Sequence, residues 1–358
     1  MPQFPSSARR LTGAFLALAL ATSFTSAYAQ SAPDTADRLR GVIAPITAKK
    51  PFTIGVTLVH LQDDFWKGMA YGIIDEAKRS NVKVLPVAVA GGYGNVQQQF
   101  AQLDALQARG ADVVVLGAAA FDGYNPILKR LKQSGTTVIA AGIPVNSEGV
   151  TFGIGQSDKA IGVALAQAIC ADTKGTPASV AVIPGPAGAE WANLRHEGFE
   201  QAAAACKQLK LEEAPVGGQM TLESGIAQTS DILQKHPDIK YVYTPAIALA
   251  MGAVQAGRHS QTPPKVVTGS IVKEAIPDLK DGRLLAVASE PGILIGRLVV
   301  QYAIRQHEGL PMPRIAKQAG LPYPEMDVPL TIINKETAKT YPFTDYDIVP
   351  AGWSIGAQ

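Results

Sequence analysis

The chain has 358 residues, 47% hydrophobic and 17% charged, with 32 Lys plus Arg against 30 Asp plus Glu for a formal charge of +2. That length provides for two domains or one large one, and a low charged fraction with an ordinary apolar share excludes wholesale disorder. The near-neutral balance argues against a nucleic-acid groove or a polybasic membrane patch, and two cysteines exclude a disulfide scaffold, an iron–sulfur cluster and a four-cysteine zinc site.

Arg9 and Arg10 precede an apolar run from Leu11 to Phe24, and Ala27-Tyr28-Ala29 supplies the pattern that signal peptidase reads. The run is too short to span a bilayer comfortably, so the expectation is a cleavable signal peptide over 1–29, cut after Ala29. The flanks of the Arg pair fit twin-arginine export poorly, and no cysteine follows for a lipid anchor. Cleavage removes two arginines and no acid, leaving 30 basic against 30 acidic residues in a mature periplasmic chain. Residues 30–50 read as a flexible leader.

Strand and helix signals then alternate. Phe52–Val59 is an apolar β-branched run, and 63–80 has helical spacing with Trp66, Met69, Ala70, Ile73, Ile74 and Ala77 on one face. Val82–Ala90 reads as a strand, 95–109 as a helix, Asp112–Leu116 as a buried strand, 124–133 as a helix and Thr137–Ala140 as a strand. After Val150 the order repeats, with helices at 157–172, 189–206, 222–235, 246–257 and 273–280. The intervening strands are placed at 178–183, 209–216, 239–244, 265–269 and 283–288, before a long helix at 292–308.

Near-continuous apolar strands separated by helices are the mark of parallel sheets, and their number exceeds one ordinary sheet. The fold class is therefore α/β, with two doubly wound parallel-sheet lobes and a ligand cleft between them at the carboxyl ends of the strands. A TIM barrel is the competing count, but it leaves the Gly/Pro interruptions near 142–155 and 289–292 unexplained. The expected N-terminal lobe is 51–141 with 289–312, and the expected C-terminal lobe is 156–288. Crossings fall near 142–155 and 270–292, and 313–358 forms a Pro-rich C-terminal segment.

No Walker loop, H-E-x-x-H, C-x-x-C or G-x-S-x-G elbow occurs, so no catalytic residue, metal site or cofactor is assigned. Gly153-Ile154-Gly155 lacks the third glycine of a dinucleotide fingerprint. His60, His196, His236, His259 and His307 are scattered without ligand spacing and read as surface or helix-end residues. Cys170 and Cys206 close two predicted helices, and in an oxidising compartment they either pair or stay free; the sequence leaves both open.

Several segments in order carry a resemblance to the type I periplasmic binding proteins. They include Asp64-Phe65-Trp66-Lys67-Gly68-Met69, Ala108-Arg109-Gly110-Ala111-Asp112, Arg195-His196-Glu197-Gly198-Phe199 and Lys280-Asp281-Gly282-Arg283-Leu284. The resemblance implies a two-lobed, non-enzymatic binder that closes on a small solute and presents the closed form to a membrane partner. Phe65-Trp66, Ala90-Gly91-Gly92-Tyr93 and Thr244-Pro245-Ala246-Ile247 resemble the TorT-like branch, periplasmic sensors of trimethylamine N-oxide that signal to a histidine kinase. More distantly the chain is similar to ribose-binding proteins. Where a sugar binder of the family has an Asp-Arg pair, an Arg, an Asn and an Asp, this chain has Gly142 and Ile143, Asn193, Ala246 and Ser270. A pentose would there be left poorly hydrogen-bonded.

What the resemblance leaves is aromatic: Phe65, Trp66 and Tyr93, with Trp191 and Tyr124 as further rings. Ring faces suit methylated nitrogen groups, and Asp63, Asp64, Glu190 and Glu290 lie near the expected cleft edges. Trp66 also fits a core position, and Asp63 and Asp64 also fit helix caps. The implied ligand-binding set is Phe65, Trp66, Tyr93, Asp63, Trp191, Asn193, Ser270 and Glu290. The implied partner is a membrane sensor histidine kinase, or alternatively the permease of an ABC importer for a sugar or another small solute; nucleic acid is not expected.

Overall fold

The computed structural model describes residues 37–187, 189–258 and 260–355. The signal peptide, its cut after Ala29 and the start of the leader therefore lie outside the described residues, as does His259. In chain order the first half runs β1 (Thr53–Leu58), α1 (Asp64–Arg79), β2 (Lys83–Val84), β3 (Ala88–Val89), α2 (Val96–Ala108), β4 (Val113–Leu116), α3 (Asn125–Gln133), β5 (Thr137–Gly142) and β6 (Phe152–Gly155). There follow α4 (Asp158–Thr173), β7 (Ala178–Val182), α5 (Glu190–Ala205), β8 (Leu209–Glu213), α6 (Leu222–Lys235), β9 (Ile239–Tyr243), α7 (Ile247–Gly257), β10 (Lys265–Gly269), α8 (Ile276–Asp281) and β11 (Leu284–Ala288). The chain ends with α9 (Gly292–His307), β12 (Ala316–Lys317), β13 (Pro324–Asp327), β14 (Ile332–Asn334) and the short α10 (Phe343–Tyr346).

Two sheets result. The first has the order β12-β13-β6-β5-β4-β1-β2, with β3 also on β1, and the second has β14-β11-β10-β9-β7-β8. Pairing is parallel except at β12–β13 and β11–β14. Strand alternation sends neighbouring side chains to opposite faces, so each sheet separates two apolar cores. Val113 and Val115 face the core beneath α1 and α9, whereas Val114 and Leu116 face the one beneath α2 and α3. In the second sheet Val242 points toward the α6–α7 side, while Tyr241 and Tyr243 point toward α4 and α5.

Helix pairs pack backbone against backbone where glycines meet. At Gly198 of α5 an added Cβ would collide with the Lys159 carbonyl, and at Gly162 of α4 it would collide with that of Arg195. This close approach fixes Arg195 against the start of α4. A disulfide between Cys170 and Cys206, Cα atoms 6.1 Å apart, joins the same two helices and resolves the alternative left open by the sequence.

The structure corrects several boundaries. Val82–Ala90 is broken into β2 and β3, since Pro86 between them has no N–H to continue a ladder. Phe152–Gly155, read as part of a crossing, is a buried strand of the first sheet. Its Gly153 has no side chain because Glu325 and Tyr323 of the neighbouring segment occupy that space. The chain therefore crosses between the sheets at 156–157, at 289–291 and again at 328–331. Residues 313–358 are more than a Pro-rich tail: β12 and β13 extend the first sheet and β14 extends the second. The leader, too, is held down from residue 37, with Leu39, Val42 and Ala48 buried. Its Ile46 N–H donates to Gln301 Oε1 over 2.8 Å, and Arg305 donates to the Ala44 carbonyl over 2.9 Å.

Candidate functional site

The carboxyl ends of the strands gather the residues with chemistry to offer. After β1, Asp63 caps α1, its Oδ1 accepting the Trp66 N–H over 2.9 Å. Asp64 sits in the first turn, 3.7 Å from Lys67 Nζ. Burial raises the pKa of both aspartates, and the Glu290 charge adds to this at Asp63, as the Glu274 charge does at Asp64. Phe65 is partly buried and meets Trp66 edge-on at 4.9 Å. Gly142 leaves it room, since a Cβ there would come within 2.9 Å of Phe65 Cζ.

Trp66 itself has no exposed surface and belongs to the core, so its ring does not face the cleft as a cage wall. The indole is packed against Gly117, where a Cβ would collide with Trp66 Cζ3, so its place on the apolar helix face sets its surroundings. Its Nε1–H instead donates to the Tyr93 hydroxyl over 3.1 Å. Tyr93, after the Gly91-Gly92 turn, is 48% exposed, with His60 edge-on at 5.6 Å. Desolvation of its hydroxyl, reinforced by Asp63 and Glu290 and opposed by Trp66 and Arg195, holds the phenol pKa far above its ordinary value. Tyr124 is a core residue as well: it is fully buried, with its hydroxyl bonded to Gln99 and accepting the Ala119 N–H over 3.1 Å.

On the other lobe, Arg195 projects from α5 into a buried ionic junction. Its Nε donates to Asp158 Oδ1 over 2.8 Å, Nη1 to the Pro245 carbonyl over 2.8 Å and to Glu290 Oε1 over 2.7 Å, and Nη2 to Glu290 Oε2 over 2.8 Å. Burial works against the guanidinium charge, but Glu290 and Asp158 outweigh it and raise its pKa. Burial also pushes Asp158 up to about 6, with Arg195 opposing and Glu290 adding. The junction needs Gly269, where a Cβ would stand 2.6 Å from Arg195 Nη1 and 2.8 Å from Glu290 Oε1. The half-buried Trp191 ring lies 4.9 Å from Arg195 Cζ. Ser270, with φ +56°, donates its N–H to the Ala288 carbonyl over 3.0 Å. Asn193 and Glu190 are exposed at the start of α5.

The structure thus brings Tyr93, Trp191 and Glu290 to Arg195, with Asp63 beside Tyr93 and Glu290, and removes Trp66 and Tyr124 to the core. It also adds residues that sequence reasoning missed. Both amide atoms of Gln156, at the first crossing, are buried without a partner. Glu325, beside Gly153 and Gly155, is raised to about 7 by burial and by Asp327 and Asp158. Neither has a motif: a glutamine in a loop and a glutamate after a proline carry no periodic or spacing signal. A groove of about 550 Å³ opens beside Asp63, Asp64 and Lys67 on one lobe and Lys273 and Glu274 on the other, walled by 348–355 with Trp353. Away from the cleft, ligand atoms of His196, Glu200 and Glu213 lie within 4.8 Å of one another, a grouping that the spacing of the histidines along the chain does not show. Burial leaves the His196 Nδ1 without a partner, so that ring lacks the second hydrogen bond that usually orients a metal-bound imidazole.

Residues 54–310 match the family described as periplasmic binding protein domain. The chain is 29% identical over 266 residues to the periplasmic protein TorT of Escherichia coli K12, covering 74% of this chain and 75% of that one. It is 26% identical over 255 residues to the ribose import binding protein RbsB of Bacillus subtilis, covering 71% and 81%. A solved structure, the substrate-binding protein of a sugar ABC transport system from Bordetella parapertussis, is 52% identical and superposes with a TM-score of 0.84, covering 89% of this chain and all of that one.

Proposed function

The chain belongs to the periplasmic binding protein domain family and is a solute-binding protein rather than an enzyme; within that role, we propose that it closes on a small methylated amine or N-oxide such as trimethylamine N-oxide. The observation that carries this reading is the half-exposed Tyr93 ring beside Asp63 and Glu290, while Arg195 is occupied by protein acceptors. An aromatic face with an excess of carboxylates attracts methylammonium groups. Tyr93 adds a second selectivity. Its oxygen takes the Trp66 N–H, and its firmly held proton remains to donate to an N-oxide oxygen. The Gln156 amide offers a further donor and acceptor.

In this reading the protein works in the periplasm after export, and the closed form signals to a membrane sensor histidine kinase, as the TorT-like resemblance implies. A second reading, the binding subunit of an ABC importer for a sugar, is favoured by the 52% identity to the Bordetella protein. Thermal-shift titration with trimethylamine N-oxide, choline, betaine, ribose and fructose separates the two. A ligand at a hundred times its dissociation constant stabilises by about 2.7 kcal/mol, a readily measured shift in Tm. A response confined to the sugars would overturn the amine reading.

A further inference from the structure

Arg195 has five N–H donors, and protein acceptors bond four of them. Nε is held by Asp158, and the two Nη1 hydrogens by the Pro245 carbonyl and Glu290 Oε1. Nη2 donates to Glu290 Oε2 over 2.8 Å and also stands 2.8 Å from Asp158 Oδ1 as an ion pair. Asp158 belongs to the second lobe's first helix, but Glu290 belongs to the crossing between β11 and α9, and it supplies the fork that covers the guanidinium on the cleft side near Tyr93. The absence of a side chain at Gly269 lets this fork close.

We infer that Glu290 is a specificity-determining residue acting through Arg195: by occupying the guanidinium fork it withholds that cation from solutes and makes the cleft reject carboxylates. The inference rests on the cleft's being the ligand site and goes beyond it by naming what the site excludes. Without the fork, Arg195 presents two parallel N–H groups, the geometry that binds a carboxylate.

Isothermal titration of wild type, Glu290→Ala and Glu290→Gln with acetate, propionate, choline and trimethylamine N-oxide tests it. Glu290→Ala is expected to bind the carboxylates at least tenfold more tightly than wild type and choline more weakly. Adding Arg195→Met to Glu290→Ala removes the carboxylate gain. If the alanine variant loses its native near-ultraviolet circular dichroism, the isosteric Glu290→Gln carries the test, with a smaller gain in the same direction. Carboxylate affinity unchanged in the folded variants, or a gain that survives Arg195→Met, overturns the inference. Should wild type ignore choline and trimethylamine N-oxide while the variants acquire carboxylate binding, the amine reading fails and the role of Glu290 stands.

Discussion

The Trp66 indole N–H reaches the Tyr93 hydroxyl from the core, so one ring orients the other. This division of labour makes distinguishable predictions. Tyr93→Phe removes the O–H while keeping the face, and is expected to weaken trimethylamine N-oxide binding roughly three- to tenfold, the worth of one neutral hydrogen bond, with a smaller effect on choline. Tyr93→Ala removes the face as well and should weaken both ligands; paired titrations of the two variants read the difference. Trp66→Ala, in contrast, opens a core cavity and should cost about 3–5 kcal/mol of stability, measured by urea unfolding. The spacing of Trp66 with Met69, Ala70, Ile73 and Ala77, all of which are buried, fitted a core position as well as the ligand-facing one expected of it. Its bond to Tyr93 was not legible, because a contact over 27 residues of sequence leaves no periodic trace.

At the scale of elements, α4 and α5 show how local signals become a site. Ser157 caps α4 by accepting the Ala160 N–H over 3.2 Å, and the Gly162–Gly198 approach then sets the register that aims Arg195 at Asp158. The disulfide closes the far end of the pair. For a sequence separation of 36, constraint of the unfolded chain gives about 3–4 kcal/mol. Cys170→Ser with Cys206→Ser should therefore lower stability by an amount of that order, and dithiothreitol should lower the Tm of wild type but not of the double variant. Helix and strand identities were readable here from spacing and apolar runs. The pairing of the cysteines depended on helix packing that spacing does not encode.

For the whole molecule, the C-terminal segment ties the two sheets together. Buried Asp347 accepts Ser289 Oγ–H over 2.8 Å and Tyr341 O–H over 2.6 Å, beside the crossing into α9. Trp353 meets Tyr71 of α1 edge-on at 5.5 Å, and Ile348 packs into the second sheet's core. Burial raises Asp347 to about 6, as it does Asp158, and Glu325 to about 7. A folded-state pKa above the unfolded value means that the native protein binds more protons, so this contribution is complete below the unfolded pKa and fades as pH rises through 6 to 7. Between pH 7.5 and pH 5 each aspartate should add about 1 kcal/mol to stability. Urea unfolding across that range measures it, and Asp347→Asn should flatten the slope.

Sequence alone determined the α/β class and the alternation of elements, because periodicity and β-branched runs are local properties of the chain. It also placed Tyr93 and Glu290 at strand ends, where such folds hold ligands. Tertiary structure alone decided that Trp66 supports rather than lines the cleft and that Gln156 is buried unpaired. It likewise joined Arg195 to Glu290 across 95 residues of chain and divided the strands of residues 316–334 between both sheets. Those outcomes follow from which surfaces meet when two sheets share three crossings, and no local pattern of residue types specifies that meeting.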